Sequence, residues 1–71
     1  MFLPTETQVR ILMLLEKGLA NQAIAHRVSL SVAGVEYHLG RLFSQTSTSN
    51  RVELVLWWRD YRQVNPFERA V

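Results

Sequence analysis

Two short amphipathic stretches lie on either side of a brief interruption, and that spacing limits what the chain can become. Gly18-Leu19-Ala20-Asn21-Gln22-Ala23-Ile24-Ala25 leads, Ser29-Leu30-Ser31 interrupts, and Val35-Glu36-Tyr37-His38-Leu39 follows. A helix of about two turns, a tight break and a longer helix is the layout of a helix-turn-helix. The second of these helices is long enough to lie in a groove of duplex DNA, which makes duplex DNA the expected partner.

The rest of the chain supplies the support for such a unit. With 71 residues there is room for one domain. A chain this short buries only about 60% of the surface its unfolded form exposes, so dimerisation is the expected source of further apolar contact. An apolar fraction of 48% argues for a folded chain, and no apolar run approaches the roughly 18 residues needed to cross a bilayer. Cysteine is absent and histidine occurs twice, which disfavours disulfides, thiolate catalysis and a metal site; no cofactor is expected. No basic segment followed by an apolar stretch and a cleavage site directs export, so the cytoplasm is the expected compartment. The formal charge is only +2, yet seven of the eight cations are arginine, whose planar fork suits phosphate and guanine edges.

Thr5 and Gln8 form a capping-box pattern that starts a first helix near Glu6. Its apolar face is Ile11, Leu12, Leu14 and Leu15, and Gly18 ends it. Asn21 is expected to cap the second helix, which buries Ile24, Ala25 and Val28. Leu30 is expected to plug the space between helices, while Ser31 caps the third. From Val32 to about Phe43, Val35, Leu39 and Leu42 share one stripe. The polar run from Gln45 to Asn50 reads as a loop, with Asn50 or Ser49 capping a fourth helix from Arg51. Leu54, Val55 and Trp58 face inward on that helix. Asn65-Pro66 ends it. The expectation is an all-α, four-helix helix-turn-helix domain over residues 1–63, with a short tail over 64–71.

Thr5, Gly18, Leu19, Ala20, Asn21, Ile24, Ala25, Ser31, Val35, His38, Asn50 and Arg51, with Leu54 and Val55 behind them, follow one another at fixed offsets. From Thr5 to Tyr61 this pattern resembles the LuxR-type helix-turn-helix domain, also known as the GerE or NarL/FixJ effector domain. The resemblance implies that the third helix enters the major groove, the second lies across it, and the fourth makes a dimer contact. The chain departs from the family at Gly34 and Glu36, on either side of Val35, where threonine and lysine are common. It departs again at Gln22-Ala23, in place of lysine-glutamate, and at Gln45-Thr46-Ser47, in place of lysine-leucine-glycine.

At 100° per residue, Ala33, Glu36, Tyr37, Gly40, Arg41 and Ser44 turn away from the core stripe. Glu36, Tyr37, Gly40, Arg41 and Ser44 are therefore the expected DNA contacts on the third helix, Arg41 foremost. Asn21, Gln22, Arg27 and Arg51 are placed to meet phosphates, although Arg51 could instead tie to the third helix. Val52 and Leu56 point away from the inward arc of the fourth helix, and with Trp57 and Arg59 they form the expected dimer seam. His38 reads as a packed histidine and His26 as surface. The scattered serines and carboxylates hold no nucleophile, base and orienting group in sequence, so no enzyme is expected.

The leading expectation is a sequence-specific, DNA-binding transcriptional regulator acting as a homodimer, with no membrane partner. The competing expectation is a protein-interaction module that pairs with a larger LuxR-type activator and inhibits it, with weak or no DNA binding. Gly34, Glu36 and the missing lysines favour that alternative.

Overall fold

In a computed structural model, which describes residues 2–64, the capping box at Thr5 is complete. The Gln8 N–H donates to Thr5 Oγ1 at 3.1 Å and the Thr5 N–H donates to Gln8 Oε1 at 2.9 Å. These bonds satisfy donors that the first turn leaves unpaired and open α1 (Glu6–Glu16). The same Gln8 is almost fully buried, and its Nε2 donates to Gln45 Oε1 at 3.1 Å, so one polar side chain serves both the cap and the packing.

Gly18, at φ +86°, carries the chain out of α1 through the left-handed region, and the Leu19 N–H closes back onto Leu14 O at 3.3 Å. α2 (Asn21–Val28) and α3 (Val32–Thr46) end in the same way, but with serine where glycine is usual. Ser29 has φ 59° and Ser47 has φ 57°, and in each case the next residue donates to a carbonyl five positions back: Leu30 to Ala25, and Thr48 to Phe43. The capping bonds offset the cost of a side chain in that region. Ser31 then caps α3 by accepting from the Gly34 N–H at 2.9 Å. α4 (Arg51–Val64) starts where Asn50 Oδ1 accepts from the Glu53 N–H, and the Glu53 carboxylate accepts from the Ser49 N–H in return.

One core joins the four helices. Ile11, Leu12 and Leu15 come from α1, Ile24, Ala25 and Val28 from α2, Val35, Leu39 and Leu42 from α3, and Leu54 and Trp58 from α4. α2 packs mainly on α3, and α1 bridges α2 to α4. Burying a side chain of this size contributes roughly 2 kcal/mol, so the stripes read from sequence are what hold the helices together.

Six sequence expectations change. The cap of α2 is Ala20, without a side-chain bond, because the Asn21 carboxamide is turned to Arg51 instead. Arg51 is tied to the α1–α2 connection and not to α3, donating to Leu19 O at 3.0 Å and to Asn21 Oδ1. α3 runs three residues past Phe43 to Thr46, held by the Gln8–Gln45 bond and by the Thr46 hydroxyl donating to Leu42 O at 2.8 Å, which shortens the loop before α4. Leu30 stays exposed, since the left-handed turn at Ser29 leaves it outside the packed stripe, and Val55 is only half-buried. Of the residues assigned to a tail, Val64 is the last residue of α4. Residues 65–71, with the Asn65-Pro66 stop, lie outside the described residues.

Among the described residues, no helix is long and apolar enough to cross a membrane.

Candidate nucleic-acid interface

The outward face of α3 follows from its buried one. With Val35, Leu39 and Leu42 held in the core, helical geometry turns Ala33, Glu36, Tyr37, Gly40, Arg41 and Ser44 to solvent, and all six are exposed. Tyr37 is 61% exposed despite its large ring. One turn on, the Arg41 guanidinium lies 6.0 Å from the ring centroid, at the outer edge of cation–π attraction. The Tyr37 and His38 rings also meet edge to face, their centroids 5.7 Å apart. His38 is half-buried and His26 exposed. Tyr37 and Arg41 therefore form a shallow ridge, braced within the helix and uncovered by any other described element.

The two glycines of α3 have different origins. A Cβ at Gly34 would sit 3.3 Å from Ser31 Oγ, so a side chain there crowds the hydroxyl that caps the helix. At Gly40 nothing lies within 4 Å, so packing does not demand glycine. Its effect is to leave the middle of the outward face flat.

Around this face the expected phosphate contacts divide. Gln22 and Arg27 are exposed on α2, whereas Asn21 and Arg51 are half-buried against each other. The Arg51 guanidinium serves as a clamp from the start of α4 to the start of α2. Arg27 lines a trough with Arg10, Met13, Leu14 and Lys17 of α1, where the Arg10 guanidinium donates to Arg27 O at 3.5 Å. Sequence reading missed Arg10 and Lys17 as neighbours of Arg27. The available signal was the spacing of Arg10, Met13 and Lys17, which puts them on the face of α1 opposite its core stripe.

On α4, Val52 is 68% and Leu56 54% exposed, a pair one turn apart that borders a groove lined by Leu15, Gly18, Val55 and Arg59. Arg59 reaches Glu16 at 3.9 Å, and Arg62 approaches the same carboxylate at 2.8 Å while lying over the Trp58 ring. Trp57 is half-buried, stacked on Tyr61 at 5.1 Å and meeting Phe2 at 5.8 Å. Its own chain thus covers much of the ring, while Val52 and Leu56 remain open.

A model of the luxR family of bacterial regulatory proteins matches residues 4–58. Over 54 residues, 76% of this chain, the sequence is 44% identical to "Response regulator Rre1" of Synechocystis sp., of which the match covers 22%. It is also 44% identical over 54 residues to "Probable transcriptional regulator ycf29" of Cyanophora paradoxa, of which it covers 25%. The matched segment thus spans about a quarter or less of these relatives. No solved structure matches the chain.

Proposed function

We propose, since the chain belongs to the luxR family of bacterial regulatory proteins, that it binds duplex DNA and regulates transcription in the cytoplasm. α3 enters the major groove, α2 lies across it, and two copies join through Val52 and Leu56 of α4. The half-sites then lie about 34 Å apart, one turn of the duplex, and the operator is close to palindromic. The observation that carries this reading is the uncovered Tyr37–Arg41 ridge on a helix that is capped at Ser31 and anchored along its opposite face. A protruding arginine can meet the O6 and N7 acceptors of guanine with two hydrogen bonds. Gln22 and Arg27 flank the ridge as phosphate contacts.

Arg41→Ala is the test. One good base contact discriminates by about 1–3 kcal/mol, so affinity for the specific site is expected to fall roughly tenfold, with binding to unrelated duplex nearly unchanged. Fluorescence anisotropy with the two duplexes measures both. Unaltered specific affinity would remove α3 from the role of reader.

A different role is favoured by Glu36, an exposed anion on the same face whose carboxylate has no hydrogen bond or ion pair among the described residues. On that reading the chain pairs through α4 with a larger LuxR-type activator and blocks it without binding DNA strongly. The anisotropy measurement separates the two roles, because a pairing module gives no salt-sensitive, sequence-specific complex.

A further inference from the structure

We infer that Glu36 is a specificity-determining residue, whose carboxylate accepts a hydrogen bond from the exocyclic amino group of one cytosine in each half-site. This rests on the proposal that α3 enters the major groove. Glu36 and Arg41 are five positions apart, which at 100° per residue sets them about 140° apart around the helix. Along that arc lie Gly40, Ala33 and Ser44, all exposed and all small, and then the Tyr37 ring beside Arg41. Glu36 on one side and the Tyr37–Arg41 ridge on the other thus border a low strip, and a Cβ at Gly40, one turn beyond Glu36, would meet nothing within 4 Å. A base edge can approach the carboxylate there without obstruction.

The helix itself gives that carboxylate no cation. Its neighbours three and four positions away are Val32, Ala33, Leu39 and Gly40, and the Arg41 guanidinium lies over Tyr37. Brought against a polyanion, an unpaired carboxylate is repelled by phosphates and must find a donor. In the major groove the donors are the amino groups of cytosine and adenine. The adenine amino group has the N7 acceptor beside it on the same base and the thymine O4 acceptor across the pair. The cytosine amino group has a C–H on its outer side, so a group that can only accept is less opposed there. Glu36 therefore selects a C·G pair, while Arg41 selects a guanine nearby.

The experiment selects sites from a pool of random duplexes with the wild-type protein, Glu36→Gln and Glu36→Ala, after thermal melts confirm that all three fold alike. The wild type is expected to enrich cytosine at one position of each half-site. Glutamine can both donate and accept, matching the N6 and N7 atoms of adenine, so Glu36→Gln should change that position from C to A. Glu36→Ala should lose the preference there and keep it elsewhere. Placing A for C in the wild-type site should weaken the wild type about tenfold and strengthen Glu36→Gln. Enriched sites with the same bases in all three proteins would overturn the assignment of Glu36 alone. No enrichment by the wild type would overturn DNA reading as well.

Discussion

Trp58→Ala is expected to abolish most of the domain's stability. The indole is fully buried among residues from the other helices, carries the Arg62 guanidinium over one face at 5.7 Å, and stacks with Tyr61 at 5.9 Å. Truncating a buried tryptophan costs about 3–5 kcal/mol, through lost transfer energy and the cavity left behind. A domain of this length has only about 4–10 kcal/mol in total. Because about 1 kcal/mol moves the midpoint of so small a domain by roughly 4–8 °C, the melt followed by circular dichroism should drop by about 20 °C or lose its cooperativity. A midpoint within about 5 °C of wild type would mean that α4 does not complete the core.

The double variant Val52→Asp, Leu56→Asp should act on assembly, lowering that melt only by the concentration-dependent contribution of the dimer. Both side chains are exposed, so the carboxylates meet water in the monomer. Facing their counterparts across a two-fold seam, they would place like charges in contact and remove its apolar area. Linking two half-site readers raises affinity for a full site by roughly 10²–10⁴ over one reader alone, so loss of the dimer should weaken operator binding about a hundredfold or more. Light scattering should give the monomer mass. An unaltered mass together with unaltered operator affinity would place the contact between copies elsewhere.

What could be read from the sequence depended on how local each cause was. Thr5 with Gln8, Ser31 with Gly34, and the stripe of Val35, Leu39 and Leu42 act within a turn or two, so spacing alone was enough to place them. The exposure of Val52 and Leu56 came from the same periodicity. Asn21 was misjudged because its partner, Arg51, lies 30 positions away, and a helical first residue with an occupied side chain looks like a cap in sequence. The end of α3 was misplaced for a related reason. Gln45, Thr46 and Ser47 have loop composition, but Gln45 is joined to Gln8 across 37 positions, and Ser47 takes the left-handed cap without being glycine. In the candidate interface, the outward set on α3 came from geometry, whereas the clamp role of Arg51 and the meeting of Arg10 and Lys17 with Arg27 arise only when helices pack.

Whether α3 reads duplex DNA in a dimer is decided by selection from random duplexes followed by titration of the winning site at several salt concentrations. If each copy meets about three phosphates, the logarithm of the association constant should fall with the logarithm of salt at a slope near −5. That slope is expected on an enriched, nearly palindromic site with half-sites about 34 Å apart. A pool that stays random, or binding indifferent to salt, would contradict that role for α3.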